Sequence, residues 1–461
     1  MSDHSRASAQ ELTSGGFCYP VRFANHPRDT ALVAPFTQSE GSMIPERISI
    51  VGASAAGVSA AQALRSHGYA GRIALIDADP RLPYERPPLS KTDATTALIP
   101  ILAERDYVSL DIDLLLGVAV TALDRTAGAI TVSNGASIST DAVLVSTGVR
   151  ARRLQVAGSE LANILTLRDA EDASQVHARL AAGGPLVIVG GGFIGLELAA
   201  VARSHGIDVT VVEREPVPLA HAIGGELAAW LTHHHRAHGV RFSTGTTVRE
   251  FGGVDGEVQS VTLSDGTTLD AATVVVGVGV EPATQLAESA RIHCDAGIVV
   301  DRGCRTSAEN VFAAGDIASR PRQRGLGRRR IEHWDSAVRH GATAAASMLG
   351  LRTADEPTPY FWSDQYDLMV QMFGQREAGD TYVSRPLTEN TALGFWLHGG
   401  LLQSAVGVGA SKDLRAARTL IENRIPVTAE QLADPAVNLR SLAKKPSNLS
   451  LTPEEARTCL G

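Results

Sequence analysis

PLVIVGGGFIGLELAAVARSHGIDVTVVERE, residues 185–215, decides the fold. LVIV is a short apolar run that reads as a buried strand, Gly190, Gly192 and Gly195 spell G-x-G-x-x-G, LELAAVARS keeps helical spacing, and a second β-branched run ends on Glu213. Strand, glycine turn, helix and strand in that order make a dinucleotide-binding unit. The first glycine permits the tight turn, the second lets a pyrophosphate approach the backbone, and the third lets helix and strand pack closely. Phe193 and Ile194 stand at the entry to the helix, whose free N–H groups and positive end attract an anion. Glu213 sits where a ribose-binding carboxylate belongs. It accepts from a 2′-hydroxyl and repels a 2′-phosphate, so the reading is NADH rather than NADPH, a preference that the adjacent Arg214 softens.

The same grammar occurs earlier, in RISIVGASAAGVSAAQALRSHG (residues 47–68) followed by RIALID (72–77). Gly52 and Gly57 take the turn and packing positions, and Ser54 stands where a second glycine is usual. Asp77 ends the next strand, 25 residues after Gly52, either as a second ribose carboxylate or as a plain turn residue. One such fingerprint is weak evidence; two, each between strand and helix, imply two dinucleotides. VLVSTGVRARRL (143–154), with Thr147 and Gly148, and TSAENVFAAGDIA (306–318), with Gly315 and Asp316, are strand ends lying before and after the second fingerprint. Their positions predict that the second domain is inserted into the first. The expected fold is α/β: two Rossmann-like dinucleotide-binding domains, with an α+β C-terminal domain after them. Boundaries follow at 46–155 and 278–355 for the split first domain, 156–277 for the second and 356–461 for the third.

The chain has 461 residues, 44 glycines and a net charge of −8, which suits a globular protein of several domains and argues against a dedicated nucleic-acid binder. No run of 18 apolar residues predicts a membrane span, and MSDHSRASAQ lacks a signal peptide's apolar core, so a soluble cytoplasmic protein is expected. Cys18, Cys294, Cys304 and Cys459 are scattered with no C-x-x-C pair, the pattern of reduced thiols rather than of a redox disulfide, zinc site or iron–sulfur cluster. Residues 1–45, rich in Ser, His, Pro and Gly, read as a flexible extension, with Met43 as a candidate biological start.

Eight stretches taken in order, VGASAAG, YERPPLSK, STG, GGGFIGLELA, VVVGVGVEP, NVFAAGDIA, RIEHWDSAV and FWSDQYD, resemble the FAD-dependent, NADH-dependent ferredoxin reductases of the putidaredoxin and rhodocoxin reductase type. The resemblance covers about residues 46–425 and extends to the apoptosis-inducing-factor and glutathione-reductase folds. It implies FAD on the first dinucleotide site, with Gly52, Ser54, Ala55, Ala56, Gly57, Asp77, Arg86, Thr147, Gly148, Gly315 and Asp316 contributing. NADH falls to the second, with Gly190, Gly192, Phe193, Ile194, Gly195 and Glu213. Disulfide reductases of this fold carry a redox cysteine pair beside the flavin; here that segment is YERPPLSK (84–91), without cysteine. Pro87 and Pro88 stiffen it, and the resemblance places Lys91 near flavin N5 with Glu197 as its partner.

RIEHWDSAVRHGATAAASML (330–349) reads as a helix capped by Asp335 or Ser336, its N-terminus implied to face the flavin N1 and O2 edge. Trp334 either stacks near the ring or packs in the core. Trp362 and Asp364 fall in a stretch tied to the flavin region. RPRQRGLGRRR (320–330) holds six arginines, Arg320, Arg322, Arg324, Arg328, Arg329 and Arg330. The last three are the expected dock for an acidic iron–sulfur ferredoxin, which would in turn supply an oxygenase, either a haem-thiolate monooxygenase or a Rieske dioxygenase. An NADH oxidase or diaphorase and a redox-sensing interaction protein of the apoptosis-inducing-factor kind are the competing classes.

Overall fold

In a computed structural model, residues 44–92, 97–353, 358–385, 388 and 391–444 are described; Cys18, Met43 and Cys459 lie outside them. Both glycine fingerprints fold as their patterns predict. Arg47–Val51 enters a turn and the Ala55–Ser66 helix, and Leu186–Val189 enters a turn and the Phe193–Ser204 helix. The strands are Val/Ile/Leu runs buried on both faces, as parallel sheets covered by helices require.

Two parallel five-stranded sheets result. The first runs, in spatial order, Val311–Ala313, Ala142–Val145, Arg47–Val51, Arg72–Ile76, Ile112–Leu115. The second runs Arg241–Thr244, Val209–Glu213, Leu186–Val189, Thr273–Val276, Ile164–Leu165. The outer strand Val311–Ala313 of the first sheet comes from chain that follows the whole second sheet. Arg47–Val51 and Leu186–Val189 each have the next strand on one side and a later strand on the other. Each is thus a topological switch point, where the crevice beyond the strand ends receives a ligand.

Each unit also carries a three-stranded antiparallel sheet ahead of its next core strand: Val120–Asp124, Ala129–Val132 and Ser137–Ser139 in the first, Val248–Val254, Glu257–Leu263 and Thr268–Asp270 in the second. The two passages between the units run side by side, Val149–Ala151 pairing antiparallel with Val280–Pro282. Trp334–Met348 lies across Ala55–Ser66 so closely that a methyl group on Gly341 would overlap the Ala56 carbonyl oxygen.

The C-terminal region is a five-stranded antiparallel sheet, in the order Tyr360–Gln365, Leu368–Gly374, Leu401–Val408, Ala392–His398, Thr381–Arg385. Ser411–Glu422 covers one face, burying Leu414, Ala417 and Leu420 against Phe395 and Ala405. Among the described residues no helix is long and apolar enough to cross a membrane.

Candidate functional site

Gly52, Ser54, Ala55, Ala56, Asp77, Arg86, Thr147, Gly148, Gly315, Asp316 and Trp334, widely separated in sequence, line one cleft at the first switch point. Gly52 has φ +105°, and a Cβ there would overlap the Ser146 carbonyl; Gly57 packs directly on the Gly52 carbonyl. Asp77 closes the turn from the other side: Oδ2 accepts the Ala53 N–H at 2.5 Å and Oδ1 the Asp79 N–H at 2.9 Å. Its carboxylate is therefore fixed at the strand end, where it lines the cleft.

The cleft is cationic. Burial pulls the Arg86 pKa down, and the neighbouring Arg168 guanidinium adds to the effect. Arg168 was not among the residues expected from sequence. It lies just beyond the short Ile164–Leu165 strand, reaches back to Asp316 at 2.9 Å and donates to the Val149 carbonyl at 3.2 Å, and no motif marks it. Arg86 donates to the Arg168 carbonyl at 3.4 Å, and since Asp316 already meets the Arg168 charge, the Arg86 guanidinium is the one left to an anion.

The Trp334–Met348 helix starts two to three residues earlier than its sequence suggested. His333 is the N-cap, with no side-chain cap, whereas Asp335 lies in the first turn and binds Arg339 at 2.7 Å. Neither Asp335 nor Ser336 caps because the extended chain ends at His333 and Trp334 is already helical. The first N–H groups of the helix thus have no side-chain acceptor, and Trp334 and Ala337 line the cleft. Trp334 also packs on the apolar core around the Ala55–Ser66 helix, the core-packing alternative, while one edge lines the cleft. The Arg86 guanidinium, an uncapped helix start and a glycine turn with no room for a side chain fit the pyrophosphate and ring of FAD.

The second unit repeats the first. Gly190 has φ +110° and its Cβ would overlap the Gly277 carbonyl, while Gly195 packs on the Gly190 carbonyl. Gly192 is the N-cap of the helix, with open space where a side chain would be. Glu213 Oε2 accepts the Gly191 N–H at 2.7 Å and Oε1 the Glu215 N–H at 2.9 Å, the same clamp as Asp77. Phe193 packs on Phe361 at 4.5 Å between ring centroids, and Ile194 is 41% exposed.

One ion pair joins the two units directly. Pro87–Ser90 forms a 3-10 turn with Lys91 at its end, and Lys91 Nζ donates to Glu197 Oε1 at 2.7 Å. Glu197 is 2% exposed and also accepts from the Ser90 hydroxyl on Oε2 and from the Ser363 hydroxyl on Oε1 at 2.5 Å. Tyr84, at the head of the same segment, donates to Asp79 at 3.1 Å and accepts the Ala170 N–H at 2.9 Å, which ties the segment to the second unit. Nearby, burial raises the Asp364 carboxyl, with Lys91 opposing and Glu197 reinforcing the shift. Trp362 stacks on Tyr360 at 5.7 Å.

The arginine run is not a set of free cations. Arg320 is 3% exposed and donates to the Cys304 thiol and the Arg302 carbonyl. Arg324 grips the fully buried Asp380 with two hydrogen bonds, and Arg322 and Arg330 pair with Glu377 and Glu332. Arg328 turns inward to the Ser319 and Val300 carbonyls, and Arg329 donates to Gln375 and the Arg376 carbonyl. Of the three expected to dock a partner, Arg330 is therefore offset by an acid, whereas Arg328 and Arg329 keep uncancelled charge because their acceptors are neutral. With Arg376 they line a second cleft, shared with Phe193, Phe361 and His333. Burial holds His333 down to about 4, so it is a neutral imidazole there.

Residues 46–341 match the family model described as pyridine nucleotide-disulphide oxidoreductase, and residues 360–443 match that of the reductase C-terminal domain. The chain is 37% identical over 401 residues to the ferredoxin–NAD(+) reductase subunit of the benzene 1,2-dioxygenase system of Pseudomonas putida, covering 86% of this chain and 97% of that one. It is 36% identical over 398 residues to rhodocoxin reductase of Rhodococcus erythropolis, covering 85% and 93%. Among solved structures, putidaredoxin reductase in its covalent complex with putidaredoxin superposes with a TM-score of 0.82 at 32% identity, covering 86% of this chain and 98% of that one. A ferredoxin reductase of Rhodopseudomonas palustris gives 0.83 at 32%, covering 86% and 100%. With two glycine-turn nucleotide units, a Lys–Glu pair joining them and these relatives, the chain belongs to the pyridine nucleotide-disulphide oxidoreductase family, among its FAD- and NAD(H)-dependent ferredoxin reductases.

Proposed function

We propose that this protein carries electrons from NADH to an acidic iron–sulfur ferredoxin that serves an oxygenase, either a haem-thiolate monooxygenase or a Rieske dioxygenase. The observation that carries the reading is the Lys91–Glu197 pair on a proline-stiffened turn, in the segment where disulfide reductases of this fold hold their cysteines. Among the described residues neither Cys294 nor Cys304 lines a cleft. Bound here, FAD would supply the conversion of a two-electron hydride donor into single-electron transfers. Gly52, Asp77, Arg86, Arg168 and Asp316 would hold and orient it, and the uncapped Trp334–Met348 helix would offer its N–H groups to the anionic edge of the ring. Lys91, held by Glu197, would supply positive charge where the hydride arrives. The cytoplasm, where NADH is replenished, is the compartment this role requires.

NADH preference rests on Glu213, anchored by two backbone N–H groups with its charge at the strand end, and on Arg214, which pairs with Glu215 at 3.4 Å instead of standing free for a phosphate. Replacing Glu213 by Arg is expected to raise kcat/KM for NADPH relative to NADH by about 10² or more, since it removes a repulsion and adds a phosphate ligand. Unchanged ratios in steady-state assays with both coenzymes would remove Glu213 from this role.

The partner test is cytochrome c reduction by NADH with and without a two-iron ferredoxin, at two salt concentrations. Arg328, Arg329 and Arg376 favour an acidic partner, so a large ferredoxin-dependent gain that shrinks with salt is expected. Fast NADH consumption with oxygen and no ferredoxin gain would instead mark an oxidase, and slow turnover under all conditions a redox sensor.

A further inference from the structure

Glu197 is the inner end of a buried chain of hydrogen bonds. Ser363 Oγ donates to it at 2.5 Å, Gln365 Nε2 donates to Ser363 Oγ at 3.0 Å, and His235 Nε2 meets Gln365 Oε1 at 2.8 Å. Beyond it, the Tyr366 hydroxyl stands 3.4 Å from His235 Nδ1. Ser363, Gln365 and His235 are each fully buried, at 0% exposure. Ser363 and Gln365 alternate on one face of the Tyr360–Gln365 strand, and His235 reaches them from the Gly225–Ala237 helix of the nucleotide-binding unit.

Proton counting gives the chain a direction. Ser363 has one hydroxyl proton, and while that proton is on Glu197 the serine oxygen must accept from the Gln365 amide. The Gln365 carbonyl then faces His235, which must donate from Nε2, leaving Nδ1 to accept from Tyr366. Each assignment forces the next. The opposite direction is equally complete except at its end: with Gln365 turned over and His235 Nε2 accepting, Ser363 donates to Gln365, and Glu197 keeps only Ser90 and Lys91.

We propose that His235, as a neutral Nε2–H imidazole, is a positioning residue that sets the direction of this chain and so keeps the Ser363 proton on Glu197, the partner of Lys91. The inference rests on the reading of Lys91 and Glu197 as the flavin-side pair. Burial, reinforced by His234 and His238 and opposed by the Gln365 contact, holds His235 down to about 4, so it stays uncharged at working pH. A carboxylate that loses one of three donors pulls harder on the remaining two, Ser90 and Lys91. Without His235, Glu197 would draw in the Lys91 proton more strongly, and the site would present less positive charge to reduced FAD.

The test is the midpoint potential of the bound flavin, measured spectroelectrochemically on purified holoenzyme. His235→Leu is expected to shift the equilibrium about tenfold toward oxidised flavin, about 30 mV for a two-electron couple. His235→Gln, whose amide nitrogen stands in the place of Nε2, restores the wild-type potential. Glu197→Gln serves as the reference: it removes the negative charge beside Lys91 and moves the potential the opposite way, toward reduced flavin. An unchanged potential in Glu197→Gln overturns both the pair and the relay. A moved potential there, with His235→Leu unchanged or with His235→Leu and His235→Gln shifted equally, overturns the relay alone. Should His235→Leu fail to fold, nitrogen NMR of histidine-labelled wild-type protein decides: a buried imidazole protonated on Nε2 supports the proposal, and one protonated on Nδ1 overturns it.

Discussion

Gly341→Val yields a protein that purifies without FAD. A methyl group at 341 would overlap the Ala56 carbonyl oxygen and stand 3.1 Å from the Ala60 nitrogen, so the backbone of one helix fills the space that a side chain on the other would need. Neither neighbour is the free end of a flexible side chain, and the strain is relieved only by parting Trp334–Met348 from Ala55–Ser66. Overpacking of this kind costs about 1–3 kcal/mol in a well-packed core. The larger effect is on the ligand, because Ala55 and Ala56 form one wall of the first cleft and Trp334 and Ala337 the other. We expect FAD affinity to fall by about 10² or more, since several kcal/mol of positioned contacts are lost together, with a lower Tm for the apoprotein as well. Flavin absorbance after purification and titration calorimetry with FAD read the outcome. A variant that retains one FAD per chain and the wild-type Tm would show that the two helices have slack.

Lys91→Met separates the two roles of the ion pair. Glu197 is 2% exposed, and removing its cation leaves a buried carboxylate with two hydroxyl donors, a change that typically costs about 3–5 kcal/mol. The rate of flavin reduction by NADH, read by stopped flow, is expected to fall by about 10²–10³, the loss seen when a preorganised charge-stabilising group is taken from a site. NADH binding should change little, since Glu213 and the Gly190 turn lie elsewhere. Adding Glu197→Gln to Lys91→Met removes the orphaned charge and should recover Tm but not rate. Recovery of the rate by the double substitution would mean that Lys91 only neutralises Glu197.

The parts of this structure legible in the sequence are those written locally. Gly52 and Gly57, Gly190 and Gly195, and the carboxylates Asp77 and Glu213 all act within one strand, turn and helix, so their spacing alone specifies their geometry. Lys91 and Glu197, 106 residues apart, were paired through family resemblance, since no local rule joins them. Arg168 was not legible because its partner Asp316 lies 148 residues away and its own surroundings form no pattern. The internal pairing of the arginine run was not legible for the same reason. Its acceptors include Val300, Gln375, Arg376 and Asp380, and their closeness depends on how the Arg328–Arg329 strand folds back on Ala318–Pro321. The misplaced cap at Asp335 and Ser336 shows the limit of residue preference: His333 has the extended backbone, and the residues with capping side chains begin after the helix does. His235 lies in HHHRAH, where no motif marks it, and it meets Gln365 only because the C-terminal strand is laid against its helix.

The antiparallel ribbon of Val149–Ala151 and Val280–Pro282 has a bearing on exchange of parts. Paired strands stand about 5 Å apart, so the chain leaves the outer unit and comes back to it almost at one point. A segment whose ends meet in this way can be spliced into a surface loop, or removed from it, without stretching its host. The clamps of Asp77 and Glu213 repeat one design in host and insert, but residues 152–279 also carry Arg168 and Glu197, so exchanging that segment would change the flavin seat together with the coenzyme site.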